Sequence, residues 1–129
     1  MSKKIIFALK LVAAIIMLQT LFFKFSGAQE SVDLFTKLAG ENEFYMRIGT
    51  GILELIASVF LFLHKKIWLG AILTIGLMGG AIMSHLTKIG IEHNNDGGLL
   101  FGSAILIFLF AFIILFSVRK ELPIVAKRL

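Results

Sequence analysis

The chain has no cysteine, and that absence removes several kinds of chemistry at once. A disulfide framework, a CxxC redox relay, thiolate-held iron–sulfur clusters and a cysteine nucleophile are all excluded. Electron transfer through this chain would need a bound cofactor or a quinone. No P-loop, dinucleotide fingerprint or nucleophile motif is present either. Nor is there room for a separate soluble domain: 129 residues, 58% of them hydrophobic, make one compact bundle with short connections, a single domain over 1–129. Any large catalytic domain must belong to a partner. A concentrated basic patch is also missing. The formal charge is +5, but the basic residues are scattered along the chain and nucleic acid is not implied.

What fills the sequence is four apolar runs, over 5–23, 45–63, 67–86 and 99–118, each about the 20 residues a helix needs to cross a bilayer. The expected fold is all-α, an integral membrane four-helix bundle. Lys3, Lys4, Lys65, Lys66, Arg119, Lys120, Lys127 and Arg128 flank the helix ends, whereas the segments 25–44 and 87–98 hold Glu30, Asp33, Glu41, Glu43, Glu92 and Asp96. By the positive-inside rule both termini and the 64–66 turn face the cytoplasm, and the two acidic loops face out. Lys3-Lys4, the first run and Ser26-Gly27-Ala28 imitate a cleavable signal peptide. The run is as long as a full span, however, and Phe22, Phe23, Lys24 and Phe25 put bulk and charge beside the supposed cut, which favours a retained helix.

Lys10 lies near the inner end of the first helix, where its stem snorkels back to the headgroups. His64 reads as a headgroup residue and Trp68 as an interfacial aromatic. In the first outer loop, Ser31 is placed to cap a short amphipathic helix with Val32, Leu34, Phe35 and Leu38 apolar and Gly40 at its end. Such a helix can rest on the membrane surface or act as a lid. On the third run, Gly76, Gly80 and Ser84 form a small-xxx-small series, which is expected to admit a neighbouring backbone or a second copy of the chain. The fourth run is almost wholly apolar and is expected to carry lipid contact rather than chemistry.

The polar residues inside the runs carry the functional question, because a charge at membrane depth is expensive. Arg47, Gly51, Glu54 and Ser58 share one face of the second helix and must turn inward. At the helical rise of about 1.5 Å per residue, Arg47 and His85 lie within about 3 Å of the outer boundary, Gln19 about 6 Å and Glu54 about 13 Å below it. Lys24 stands at the mouth. Arg47 and Glu54 are about 10 Å apart along the axis, too far for an ion pair, so Glu54 needs another partner or a proton; Gln19, Thr20, Lys24 and His85 are the candidates. Two readings compete. In one, these residues are polar glue that fixes helix register. In the other they line an outward-facing pocket for a small molecule, with Glu54 handling a proton and His85 and Arg47 orienting a polar headgroup. A metal held by His85 and His93 with Glu92 or Asp96 matches no tight ligand spacing. A bis-histidine haem is unsuited because His64 and His85 belong to opposite faces.

The Phe22-Phe23-Lys24-Phe25-Ser26-Gly27 end of the first helix, Gly51-Ile52-Leu53-Glu54 on the second and Ala81-Ile82-Met83-Ser84-His85 ending the third resemble the DoxX and DoxX-like membrane proteins, and the likeness runs over nearly the whole chain. The resemblance implies a bacterial inner-membrane four-helix bundle, some relatives being the small subunit of a thiosulfate:quinone oxidoreductase. It places the family glutamate at Glu54 and the family histidine at His85. The family lysine that often follows the first-helix glycine has no counterpart, since Gly27 precedes Ala28-Gln29-Glu30. The expectation is thus a membrane subunit that binds a quinone or similar hydrophobic molecule and serves a redox partner. The alternatives are a small oligomeric transporter, with Glu54 coupling protons and copies meeting at Gly76 and Gly80, or a scaffold without a ligand.

Overall fold

The structure is a computed structural model that describes residues 3–63, 65–89 and 98–119. Among these residues there is helix and no strand. Four long helices, α1 (Lys3–Ser26), α3 (Glu43–Phe60), α4 (Ile67–Ser84) and α5 (Leu99–Ser117), are joined by a short α2 (Gln29–Ala39) between the first two. A single 3₁₀ turn, Gly40–Asn42, leads into α3, and α4 runs on into a π-helical turn, His85–Ile89. Two helical stretches, Lys3–Ser26 and Ile67–Thr87, are long and apolar enough to cross a membrane.

The long helices close in the order α1, α3, α4, α5 and back to α1, each packing chiefly on two neighbours. Phe7 meets the Phe62 ring at 6.0 Å, and the Lys10 ammonium lies 5.3 Å from the same ring, so the start of α1 sits beside the end of α3. His85 likewise meets Phe101, so successive long helices run antiparallel. Lys3, Lys4, Lys65, Lys66 and Arg119 therefore gather at one end of the bundle, the turn end, while Asp33, Glu41 and Glu43 lie at the other, with α2. His64, the loop 90–97 and the tail 120–129, where His93, Glu92, Asp96, Lys120, Lys127 and Arg128 fall, are outside the described residues.

The core is apolar and built from small and medium side chains: Ala13, Met17, Leu61, Ala71, Met78, Ala104, Ile107 and Ile114. Alanine at so many facing positions lets the helices approach closely. The outer faces are apolar too, with Ile15, Leu18 and Phe22 on α1, Ile52, Leu55 and Val59 on α3 and Leu109, Phe112 and Phe116 on α5 all exposed. Arg47, Glu54, Ser58, Thr74 and His85 are buried instead. That distribution inverts the one expected of a chain folded in water, where large exposed apolar surfaces are rare.

Several local expectations change. α3 ends at Phe60, three residues short of 63, because the chain must reverse sharply to lay Gly70 against the backbone of residues 57–61; Lys65, at φ 66, supplies the left-handed turn. α2 starts at Gln29, so Ser31 is not its cap, and Ala28 at the cap position makes no side-chain bond. The reason lies in Gly27, whose φ of 70 lets the Ala28 N–H return to the Phe23 carbonyl at 3.1 Å. This 6→1 bond closes α1 at a left-handed glycine and frees the chain to re-enter helix at once. Gly40 ends α2 as expected, at φ 59. Gly76 and Gly80 do not receive a helix: a Cβ at either would have no heavy atom within 4 Å. Close approach falls at Gly70, where a Cβ would lie 2.7 Å from the Leu61 nitrogen, and at Gly51, where it would lie 2.7 Å from the Phe25 ring.

Candidate ligand-binding site

Thr20 and Lys24 are one helical turn apart on α1 and face Glu54 of α3. The Lys24 ammonium lies 2.5 Å from Glu54 Oε1, with 12% of the lysine side chain and 3% of the glutamate side chain exposed. It also donates to Thr20 Oγ1 at 3.3 Å. The Thr20 hydroxyl sits 2.8 Å from the Met17 carbonyl and 3.3 Å from Glu54 Oε2, and its single proton serves one or the other. The two charges cancel within a low-dielectric interior, where either alone would be strongly disfavoured. Beyond that ion pair, Oε1 accepts no hydrogen bond among the described residues.

Lys24 is held in place by its own backbone. Arg47 donates from its guanidinium to the Lys24 carbonyl, one of the carbonyls left without a partner where α1 ends. The same guanidinium pairs with Glu43 Oε2 at 3.0 Å and lies 5.5 Å from the Phe44 ring. Glycine at 27 is called for by its φ of 70 and not by crowding, since a Cβ there would lie 3.7 Å from the Arg47 nitrogen, an ordinary contact.

Next to the ion pair is a cavity of about 350 Å³. From α1, Ile16, Met17, Thr20, Phe23 and Lys24 reach it; from α3, Met46, Thr50 and Glu54. One side is α4, with Gly76, Leu77, Gly80, Ala81, Ser84 and His85, and α5 adds Ser103, Ala104 and Ile107. α2 lies across the end that holds Lys24 and turns Ser31, Leu34, Phe35 and Leu38 toward the space, Phe35 being only 4% exposed. The walls are mainly apolar, with the polar groups gathered at one end, as in pockets for small hydrophobic molecules. His85 is 4% exposed and begins the π turn, a helical irregularity that recurs at functional sites.

Of the five residues singled out from sequence, Glu54, Lys24 and His85 line one cavity. Arg47 is buried as expected but is directed at the end of α1 and does not reach the cavity lining, so it cannot orient a headgroup there. Gln19 is exposed on the outer side of α1. It adjoins Thr20, which reaches Glu54, yet each residue turns the helix by about 100°, and the face that enters is that of Ala13, Met17, Thr20 and Lys24. Four cavity hydroxyls went unnoticed in this role: Ser31, Thr50, Ser84 and Ser103. Thr50 was legible, being one turn before Glu54; Ser103, alone in an apolar helix, carried no signal. No family model, curated protein or solved structure matches the chain.

Proposed function

We propose that this chain is a multi-pass inner-membrane protein of the DoxX-like kind, whose four long helices span the bilayer, and that its cavity binds a quinone or a similar small hydrophobic molecule on behalf of a redox partner. The observation that carries this reading is the Lys24–Glu54 ion pair, buried at the head of an apolar cavity of about 350 Å³. The membrane placement is supported by the apolar outer faces on α1, α3 and α5 around a polar centre. By the positive-inside rule, the basic residues at the turn end support a reading in which that end faces the cytoplasm and α2 the outside.

The residues suit a quinone head. When bound, a quinone supplies carbonyl oxygens that accept hydrogen bonds and take up protons on reduction. Lys24 has N–H groups beyond those directed at Glu54 and Thr20, and these can donate to such an oxygen. Glu54 balances the ammonium and can hold or release a proton at its carboxylate oxygens. Leu34, Phe35 and Leu38 of α2 keep water from the head end, which strengthens each polar contact inside. The chain has no thiol or cofactor motif, so the electrons pass to or from a partner protein. A transport role finds less support, because the turn end is filled by Ala13, Leu61, Ala71 and Ile114, each 0% exposed.

The test is retention of a decyl-chain benzoquinone by the purified protein in lipid nanodiscs. Wild type is expected to keep it in fixed ratio through gel filtration, and Lys24→Met to keep several-fold less. Retention no higher than that of empty nanodiscs would overturn the quinone reading. Mass spectrometry of the protein extracted in mild detergent from its native membrane tests the partner. A soluble oxidoreductase in fixed ratio is expected, and a homo-oligomer holding only a small molecule would return the weight to a transporter.

A further inference from the structure

We infer that the cavity is loaded sideways from the outer leaflet, through a slot between α3 and α4, and that its occupant is a neutral single-chain amphiphile with a hydroxyl-bearing head, the class to which the reduced, quinol form of a tailed quinone belongs. This deepens the proposed function and rests on its membrane placement. The slot follows from one pair of helices that touch at one end and part at the other. At Gly70 the α3 backbone is so close that a Cβ would meet the Leu61 nitrogen at 2.7 Å and the Ala57 carbonyl oxygen at 2.9 Å. Further along α4, the residues on the same side as Gly70, Leu77, Ala81 and Ser84, line the cavity instead, and at Gly76 and Gly80, turned further outward, no heavy atom lies within 4 Å of a Cβ. Both glycines are exposed and both line the cavity.

The opposing wall is the flank of α3 that carries Met46, Thr50 and Ala57, at spacings that keep the three on one side. Met46 is exposed and Thr50 half-buried, and both line the cavity. Above them α2 roofs the water-facing end with Leu34, Phe35 and Leu38. The way in that needs no movement of α2 is therefore lateral, between two helices whose outer faces are apolar. Neither glycine is required by packing, so their lack of side chains serves to keep the slot open.

The head end selects the chemistry. Glu54 is 2% exposed, lines the cavity, and its Oε1 accepts no hydrogen bond among the described residues beyond its ion-pair contact. Lys24, beside it, is a donor only. A hydroxyl can accept from Lys24 and donate to Glu54, satisfying both with one group. A charged head would leave one member of the ion pair uncompensated in a low-dielectric site. The tail then lies along Leu77, Gly76 and Gly80, leaving between α3 and α4 toward lipid.

The probe is hexadecanol with a diazirine on its chain, photolysed in nanodiscs containing the full chain, with adducts mapped by peptide mass spectrometry. Adducts are expected on 46–50 and 76–84. Gly80→Leu, whose Cβ has no heavy atom within 4 Å and which raises helix propensity, is expected to melt no lower than wild type and to lose labelling several-fold. Gly102→Leu, on an exposed α5 glycine that also has open space, is expected to leave labelling unchanged. Labelling of Gly80→Leu equal to wild type overturns the slot. The diazirine analogues of palmitic acid and hexadecylamine are expected to label several-fold less than the alcohol, and equal labelling by either overturns the neutral head. Wild-type labelling without quinone retention leaves the slot standing and removes only the quinone; quinone retention without labelling at 46–50 and 76–84 does the reverse.

Discussion

The two ends of the α3–α4 pair use the same residue for opposite purposes. Toward the turn end, Gly70 is a glycine because two backbones meet there. Toward the α2 end, Gly76 and Gly80 border empty space, and the polar side chains of the bundle collect around it. The sealed end is held by close apolar packing among Ala13, Leu61, Ala71 and Ile114. The open end is held by an ion pair, a carbonyl cap and a short roofing helix. Stability and site are thus segregated along the axis, and a lesion should tell by its position which of the two it damages.

The sharpest way to break that contrast is to place the same side chain at both ends. Gly70→Leu drives a side chain into the α3 backbone and is expected to cost about 3 kcal/mol or more, as overpacking against an unyielding neighbour does. Its detergent melting temperature should fall further than that of any other single variant here. Gly80→Leu is expected to be neutral or to gain about 0.5 to 1 kcal/mol from helix propensity. Equal losses at the two positions would show that the open end is packed as tightly as the sealed one.

Next in size is the ion pair. Glu54→Ala leaves the Lys24 ammonium without its counter-charge and is expected to cost about 2 to 3 kcal/mol, at the low end for a broken buried pair because the lysine keeps 12% of its side chain exposed. Lys24→Met should cost a similar amount. The double variant Lys24→Met with Glu54→Gln should lose much less than the sum, since neither charge is then stranded. Additive losses would mean the two side chains do not interact. Glu54→Gln alone is the functional probe: it strands the ammonium as Glu54→Ala does and is expected to lose similar stability, and its activity with the partner per folded molecule is expected to be lost, whereas undiminished activity per folded molecule would remove proton handling from Glu54.

A smaller effect is expected at Arg47. Arg47→Ala removes the cap on the Lys24 carbonyl and the contact with Glu43, and is expected to cost about 1.5 to 2 kcal/mol, the range of hydrogen bonds from a charged group. Because Arg47 fixes the end of α1 through the Lys24 backbone and is not itself among the residues lining the cavity, its variant should retain the decyl-chain benzoquinone in proportion to the folded fraction. A loss of retention exceeding the loss of fold would make it a headgroup residue after all.

How far the sequence foretold this arrangement depends on what each signal measures. Run length and charge located the long helices to within about three residues, because apolar length and helix rise are one-dimensional quantities. The inward face of α3 was equally plain, since four polar or small residues repeat at helical spacing. Azimuth on α1 was not, because an apolar helix offers no polar stripe against which to set Gln19 and Thr20. The small-xxx-small series, which receives no helix of this chain, was open for a related reason: spacing shows that a surface is smooth, and a smooth surface suits a neighbouring helix, a second copy and an open slot alike. The short helix was read from its apolar residues and Gly40, but its start was misplaced because the Gly27 turn, not a capping serine, decides where it begins.

Gln19 offers the smallest expected effect and the most direct check on which face of α1 enters the bundle. Its chain neighbour Thr20 is level with Glu54, so a reading from level alone pairs Gln19 with Glu54 and makes Gln19→Ala destabilising and coupled to Glu54→Ala. In the structure Gln19 is exposed while Thr20, one position on, reaches the carboxylate at 3.3 Å. Gln19→Ala is therefore expected to change stability by less than about 0.5 kcal/mol, as surface substitutions do. Its effect should add to that of Glu54→Ala, whereas Thr20→Ala should not. A coupling between Gln19 and Glu54 in detergent melts would require α1 to be turned by about 100°, one residue's rotation, which would take Thr20 and Lys24 away from Glu54 and undo the ion pair on which the site depends.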